Sequence, residues 1–94
     1  ALDDIPPKAY DILYYLYERS GSVISKDELY YRAYLGLERL PRSSAERDYA
    51  APKDYLGLID TNLYRIRQAI EPDPSFPVLL QTVRGHGVRL VSRW

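Results

Sequence analysis

Residues 56–91 read LGLIDTNLYRIRQAIEPDPSFPVLLQTVRGHGVRLV, and a change of rhythm inside this stretch decides the fold. Leu56, Ile59, Leu63, Ile66 and Ile70 recur at spacings of 3, 4, 3 and 4. That is the period of an α-helix with one apolar face. The spacing predicts a helix that begins somewhere in 52–58, ends near Ile70 and turns these five residues inward. Pro72, Asp73, Pro74 and Pro77 stop it. Beyond them Val, Leu and Thr dominate two short arms around Gly85-His86-Gly87, which reads as a β-hairpin. Arg93 and Trp94 could extend the second arm, with Trp94 open to being a core anchor, an outward contact or merely the end of the chain.

Upstream, Pro7 suits a first helical position, because its missing N–H would be unpaired there anyway. Ala9, Ile12, Leu13 and Leu16 form one face of that helix, and Gly21 closes it. Val23 and Ile24 make a short extended link. Ser25 caps a second helix, with Glu28 completing a capping box. Leu29 and Ala33 form its inner face and Gly36 ends it. Residues 37–54, rich in Pro, Ser and mixed charge, read as a long loop with one helical turn around 44–50. Loops of that length are often functional. The order is helix, short strand, helix, long loop, helix, hairpin. This predicts an α+β winged helix-turn-helix, a single domain over 1–94 with three helices and a C-terminal β-hairpin wing.

Composition narrows the function. The 94 residues include no cysteine, so a disulfide framework, a thiol nucleophile and a thiolate metal site are excluded. No apolar run approaches the ~18 residues of a membrane span and no signal peptide is visible, so a cytoplasmic protein without membrane contact is expected. Methionine is missing even at position 1, so a fragment or a processed chain is expected. No enzyme constellation is present. There is no supported Ser-His-Asp set, no glycine-rich phosphate loop and no carboxylate pair in a probable cleft, and no cofactor is expected. His86, with no second His or Cys, makes no metal site. Thirteen basic residues balance thirteen acidic ones, which is unusual for a DNA binder. The balance is uneven, however. Residues 1–54 carry 8 basic and 10 acidic groups, whereas 55–94 carry 5 basic and 3 acidic, and all five are arginines.

The blocks IPPKAYDILYYLYERSGSVISKDELY, IDTNLYRIRQAIE and QTVRGHGVRLV together resemble the C-terminal effector domain of OmpR/PhoB-type response regulators. The first resembles that family's opening two helices. The second resembles its recognition helix, of the form V-D-x-x-I-x-x-L-R, and the third its wing, T-V-R-G-x-G-Y. The blocks cover about half of the chain, in the family's order. The resemblance implies sequence-specific binding of double-stranded DNA in a transcription regulator of a two-component system, with pairing on direct repeats. It further implies that the 37–54 loop corresponds to a segment able to touch RNA polymerase. The unusual length of that loop fits a larger partner surface and an insert without a role equally well. The chain also departs from the family. Only Ala1–Ile5 could belong to its N-terminal sheet. Tyr64, Gln68 and Ala69 stand where basic or polar residues are common, and Val88 replaces the wing tyrosine. No receiver domain is present, so phosphorylation control does not follow.

The face of the third helix opposite its apolar stripe carries Thr61, Asn62, Tyr64, Arg65 and Gln68. Arginine can pair two donors with guanine, and Asn or Gln can pair with adenine. An ordinary solvated helix face has the same appearance. The resemblance favours Thr61, Asn62 and Arg65 as groove-facing and sets Arg67 on a phosphate. In the wing, Thr82 and Arg84 match the family's contact positions, Arg84 and Arg89 flank the turn, and His86 sits at its tip. Ten tyrosines remain. Tyr10, Tyr14 and Tyr17 on the first helix, and Tyr30, Tyr31 and Tyr34 on the second, suit a core margin with buried rings and wet hydroxyls. A partner surface is the alternative, though ring burial at the edge of a small core suffices and is the favoured reading. Together with net neutrality, that second reading makes a winged-helix protein-interaction module the rival function.

Overall fold

In the computed structural model of the protein, residues 5–46 and 54–91 are described. Helix α1 (Pro7–Glu18) leads to strand β1 (Val23–Ile24) and helix α2 (Lys26–Glu28). The latter runs directly into a π-helical stretch, Leu29–Tyr34. Helix α3 (Tyr55–Ile70) and the hairpin strands β2 (Leu80–Val83) and β3 (Gly87–Leu90) follow. The expected winged helix is therefore the observed one, and residues 44–46 hold part of the expected helical turn. The remainder of that turn, the segment 1–4 of the expected N-terminal remnant, and Arg93 and Trp94 lie outside the described residues.

Pro7 does start α1, and Ala9, Ile12, Leu13 and Leu16 are buried from it as expected. They meet Leu29, Tyr30 and Tyr31 from the second helical segment and Ile59, Leu63 and Ile66 from α3. Leu80, Val88 and Leu90 close this core from the sheet. Each aliphatic side chain so buried contributes roughly 1.5–3 kcal/mol relative to its exposure in water.

Three details correct the sequence reading and a fourth completes it. Leu56 does not face inward. It is 44% exposed, because Tyr55 occupies the inner side of the first turn of α3. The Tyr55 ring lies 4.9 Å from that of Tyr30 and 5.9 Å from that of Tyr31. Tyr30 and Tyr31 are not margin residues either, being 2% and 1% exposed. The amide of Leu35 reaches back five residues to the carbonyl of Tyr30, and this wider π turn accommodates Leu29, Tyr30 and Tyr31 as three consecutive core residues. Ser25 caps α2 by accepting from the Glu28 amide at 3.1 Å, but the Glu28 carboxylate turns to α1 and accepts from the Tyr15 hydroxyl. Burial and this carboxylate together raise the pKa of Tyr15 above the ordinary tyrosine value. Lastly, Val23–Ile24 is the expected short strand, and the structure adds its partner. It pairs antiparallel with β3 (Val23↔Arg89, Ile24↔Val88) and gives a sheet of order β1-β3-β2.

That pairing depends on Gly87. Its φ of +144° is a conformation other residues rarely adopt, and a Cβ there would sit 2.1 Å from the Ile24 carbonyl oxygen. The hairpin register Val83↔Gly87, Thr82↔Val88 and Leu80↔Leu90 follows, with Arg84, Gly85 and His86 as the tip.

Candidate nucleic-acid interface

The helix-turn-helix angle is held by two polar ties between α2 and α3. Lys26 Nζ lies 2.7 Å from Asp60 Oδ1, and the Tyr55 hydroxyl donates to Asp27. Tyr55 is half-buried and Asp60 exposed, and both ties act at the N-terminal half of α3. Its outer side is left to Thr61, Tyr64, Arg65 and Gln68, all exposed. Their spacing of i, i+3, i+4 and i+7 aligns them in one stripe along the helix. Asn62 does not join them fully. It is half-buried, and its amide nitrogen donates to the Leu58 carbonyl at 2.8 Å.

The hairpin runs beside the end of this stripe. Tyr64, Arg67, Gln68 and Thr82 line one cleft with Pro74, Ser75 and Pro77. Arg67 crosses from α3 to β2, where Nε donates to the Leu80 carbonyl at 3.1 Å and Nη2 donates to Thr82 Oγ1 at 2.9 Å. Arg67 is thus half-buried and engaged within the protein rather than held outward. Arg84 and His86 are exposed at the tip, where the His86 amide donates to the Val83 carbonyl at 2.9 Å.

Arg89 stands apart from this group. Successive strand residues point to opposite faces of the sheet. Val88 and Leu90 are core residues, so Arg89 points to the far face, where Nη2 donates to Gln81 Oε1 at 2.7 Å. Ser20, Gly21 and Val91 surround it. Of the ten residues singled out from the sequence, the structure therefore aligns Thr61, Tyr64, Arg65 and Gln68 and joins Thr82 to them through Arg67. It leaves Arg84 and His86 at the tip and turns Arg89 away.

A residue that sequence reasoning missed organises the approach to the wing. Glu71 is buried at the C-terminal end of α3. Its carboxylate accepts from the amides of Val78 (2.9 Å), Leu79 (3.0 and 3.1 Å) and Leu80 (2.7 Å). The readable signal was its sign, since an acid at a helix C-terminus opposes the helix dipole and calls for another reason to be there.

The described part of the loop after α2 is built around another carboxylate. Glu46 accepts from both terminal nitrogens of Arg39, at 3.1 and 3.2 Å, and from the Arg42 amide at 2.7 Å. The Arg39 guanidinium, then the Arg42 amide, lower its pKa from 4.5 to about 2. A depressed acid contributes its stabilisation above the unfolded value and loses it as pH falls through the folded one. The Arg42 amide resonance is thus expected to hold its position down through pH 4.5 and to move as pH approaches about 2. A midpoint near 4.5 in an NMR titration would show the pair to be unformed in solution.

Among the described residues no helix is long and apolar enough to cross a membrane, and no group of three or more His, Cys, Asp or Glu could hold a metal ion.

No protein-family model matches the sequence. Over 91 residues the chain is 35% identical to the sensory transduction protein RegX3 of Mycobacterium leprae, covering 94% of this chain and 37% of that protein. RegX3 of Mycobacterium tuberculosis is also 35% identical, over 89 residues, covering 92% of this chain and 32% of that one. Among solved structures, the response regulator DrrB of Thermotoga maritima, an OmpR/PhoB homologue, matches with a TM-score of 0.66 and 28% identity. That match covers 93% of this chain and 33% of DrrB. The chain spans about a third of the length of these relatives. Similarity in both sequence and fold over nearly all of its own length makes this chain a homologue of response regulators of the OmpR/PhoB type.

Proposed function

We propose that the chain binds double-stranded DNA sequence-specifically as part of a transcriptional regulator, with α3 in the major groove and the wing on adjacent phosphates or the minor groove. The observation that carries this reading is the exposed stripe Thr61–Tyr64–Arg65–Gln68 beside a hairpin whose tip presents Arg84 and His86. Arg65 has the two-donor fork that matches guanine O6 and N7, and Gln68 has the amide that matches adenine N6 and N7. Thr61 suits either a base edge or a thymine methyl. At the tip Arg84 supplies a cation to a phosphate or to a narrow minor groove, and the glycines beside His86 allow close approach. Homology to response regulators supports the regulatory context. It extends the proposal to pairing on direct repeats and to contact with RNA polymerase through the loop 37–54.

Arg65→Ala is expected to lower discrimination at one or two base pairs by about 1–3 kcal/mol each, and Arg84→Ala to weaken all sequences alike while reducing the salt slope by about one. Fluorescence anisotropy against an operator selected from random duplexes, and against its single-base variants, measures both. Wild-type behaviour of both variants would remove α3 and the wing from the interface.

A protein-interaction module remains the second reading, favoured by Tyr10, Tyr14 and Tyr17, which lie exposed along α1 of a chain with zero net charge. Salt separates the two. Binding through phosphates falls steeply as salt rises, whereas an aromatic protein interface responds little.

A further inference from the structure

We infer that Arg67 is a positioning residue for the wing and not a phosphate contact. This inference rests on the DNA-binding reading for its consequence, though not for its geometry. Arg67 and Glu71 lie one turn apart on α3 and hold the same residue of β2 from two sides. Glu71 accepts from the Leu80 amide at 2.7 Å, and Arg67 Nε donates to the Leu80 carbonyl at 3.1 Å. The backbone polar groups of Leu80 that face α3 are thereby taken by α3 itself, while Leu80 is fully buried. The hairpin cannot slide along the helix without breaking these bonds.

The second donor of the same guanidinium sets the chemistry of Thr82. Nη2 donates to Thr82 Oγ1 at 2.9 Å, so one lone pair of that hydroxyl is occupied. A hydroxyl carries one proton and accepts through its lone pairs. With Arg67 donating to it, the Thr82 proton is directed away from Arg67, toward the exposed side of the strand. Arg67 therefore holds Thr82 as a donor, which is the polarity a phosphate oxygen requires. It also fixes how far the Arg84–His86 tip stands from the base-reading stripe of α3.

The rigid fork of arginine suits this task, since two bonds leave one planar group toward two acceptors on one strand. Lysine keeps the charge but concentrates its donors on one flexible ammonium, and it still binds phosphate. Arg67→Lys therefore separates the two roles. A positioning role predicts that Arg67→Lys loses about tenfold in affinity for the selected duplex, the equivalent of about 1.4 kcal/mol. It further predicts that the loss does not add to that of Arg84→Ala, because both act through the wing. Thr82→Val, which removes at an exposed position the hydroxyl that accepts from Nη2 and serves as the donor, should reproduce part of the loss. In the protein without DNA, amides of residues 82–88 should gain fast motion in heteronuclear relaxation of Arg67→Lys, with α1 and α3 unchanged.

Near-wild-type affinity of Arg67→Lys, additivity with Arg84→Ala, or an unaltered wing in the relaxation data would each overturn the inference. If the wild-type chain bound no duplex at all, the DNA reading would fail by itself, and the relaxation experiment would still decide whether Arg67 sets the wing.

Discussion

Glu71→Ala should lower the stability of the domain by about 3 kcal/mol, because it strips the charged acceptor from three backbone amides at once. The segment between α3 and β2 contains Pro72, Pro74 and Pro77, which have no N–H, and its Ser75 and Phe76 amides turn back to Asp73. The carboxylate gathers those of Val78, Leu79 and Leu80. Val78 is exposed, so water can replace the lost bond there. Leu80 is fully buried, and its amide would be left without an acceptor, which is where most of the loss arises. In a domain of this size each kcal/mol moves the unfolding midpoint by roughly 4–8 °C, so a fall of more than about 10 °C is expected in a thermal circular-dichroism melt. Glu71→Gln should fall between wild type and alanine, since its amide keeps one acceptor oxygen but turns a donor toward an amide. A midpoint for Glu71→Ala within about 3 °C of wild type would show that the carboxylate does not gather these amides in solution.

Gly87→Ala is expected to be at least as damaging, with a loss above about 3 kcal/mol, for two reasons that add. The backbone at φ +144° is strained for any L side chain. The new methyl would also stand 2.1 Å from the Ile24 oxygen, 2.7 Å from the Ile24 carbonyl carbon and 2.8 Å from the Ser25 Cα. All three are backbone atoms, so no side-chain rotation relieves the clash, and β1 must part from β3. Gly85→Ala is the proper control. It shares a positive φ, +80°, but has nothing within 4 Å of the added carbon, and should lose only about 1 kcal/mol. Urea unfolding of the two variants therefore isolates the steric part. Equal losses would mean that β1 and β3 are not in contact at this point.

The architecture was legible because its signals are local. Two helices announce themselves by period, Pro7 and Ser25 mark starts, and Gly85-His86-Gly87 marks the hairpin. The stripe on α3 followed from the same period, since the residues opposite an apolar face are known once that face is known. What could not be read are the pairings between distant segments. Nothing in the spelling of Val23–Ile24 says that it pairs with β3. Nothing near Arg67 says that its partners are Leu80 and Thr82. Leu56 and Tyr55 are neighbours of comparable bulk, and only the aromatic cluster of Tyr30 and Tyr31 decides which of them turns inward. Arg89 could have been placed better. Strand alternation alone, with Val88 and Leu90 as core residues, sets it on the far face of the sheet.

The strand order β1-β3-β2 has a consequence for how the chain comes into being. Its middle strand is the last of the described elements in chain order, and its partner on one side, β1, is among the first. Contacts between such remote segments form slowly, because a long loop must close before any gain is collected. The three helices and the turns between them emerge earlier and can associate through contacts closer in sequence. A chain that stops short of Gly87 thus contains α1, α2 and α3 but lacks the strand with which β1 and β2 both pair. Loss of β3 would take Val88 and Leu90 out of the core and leave β1 and β2 without their shared partner, so truncations that reach this strand should be tolerated far less well than their length suggests.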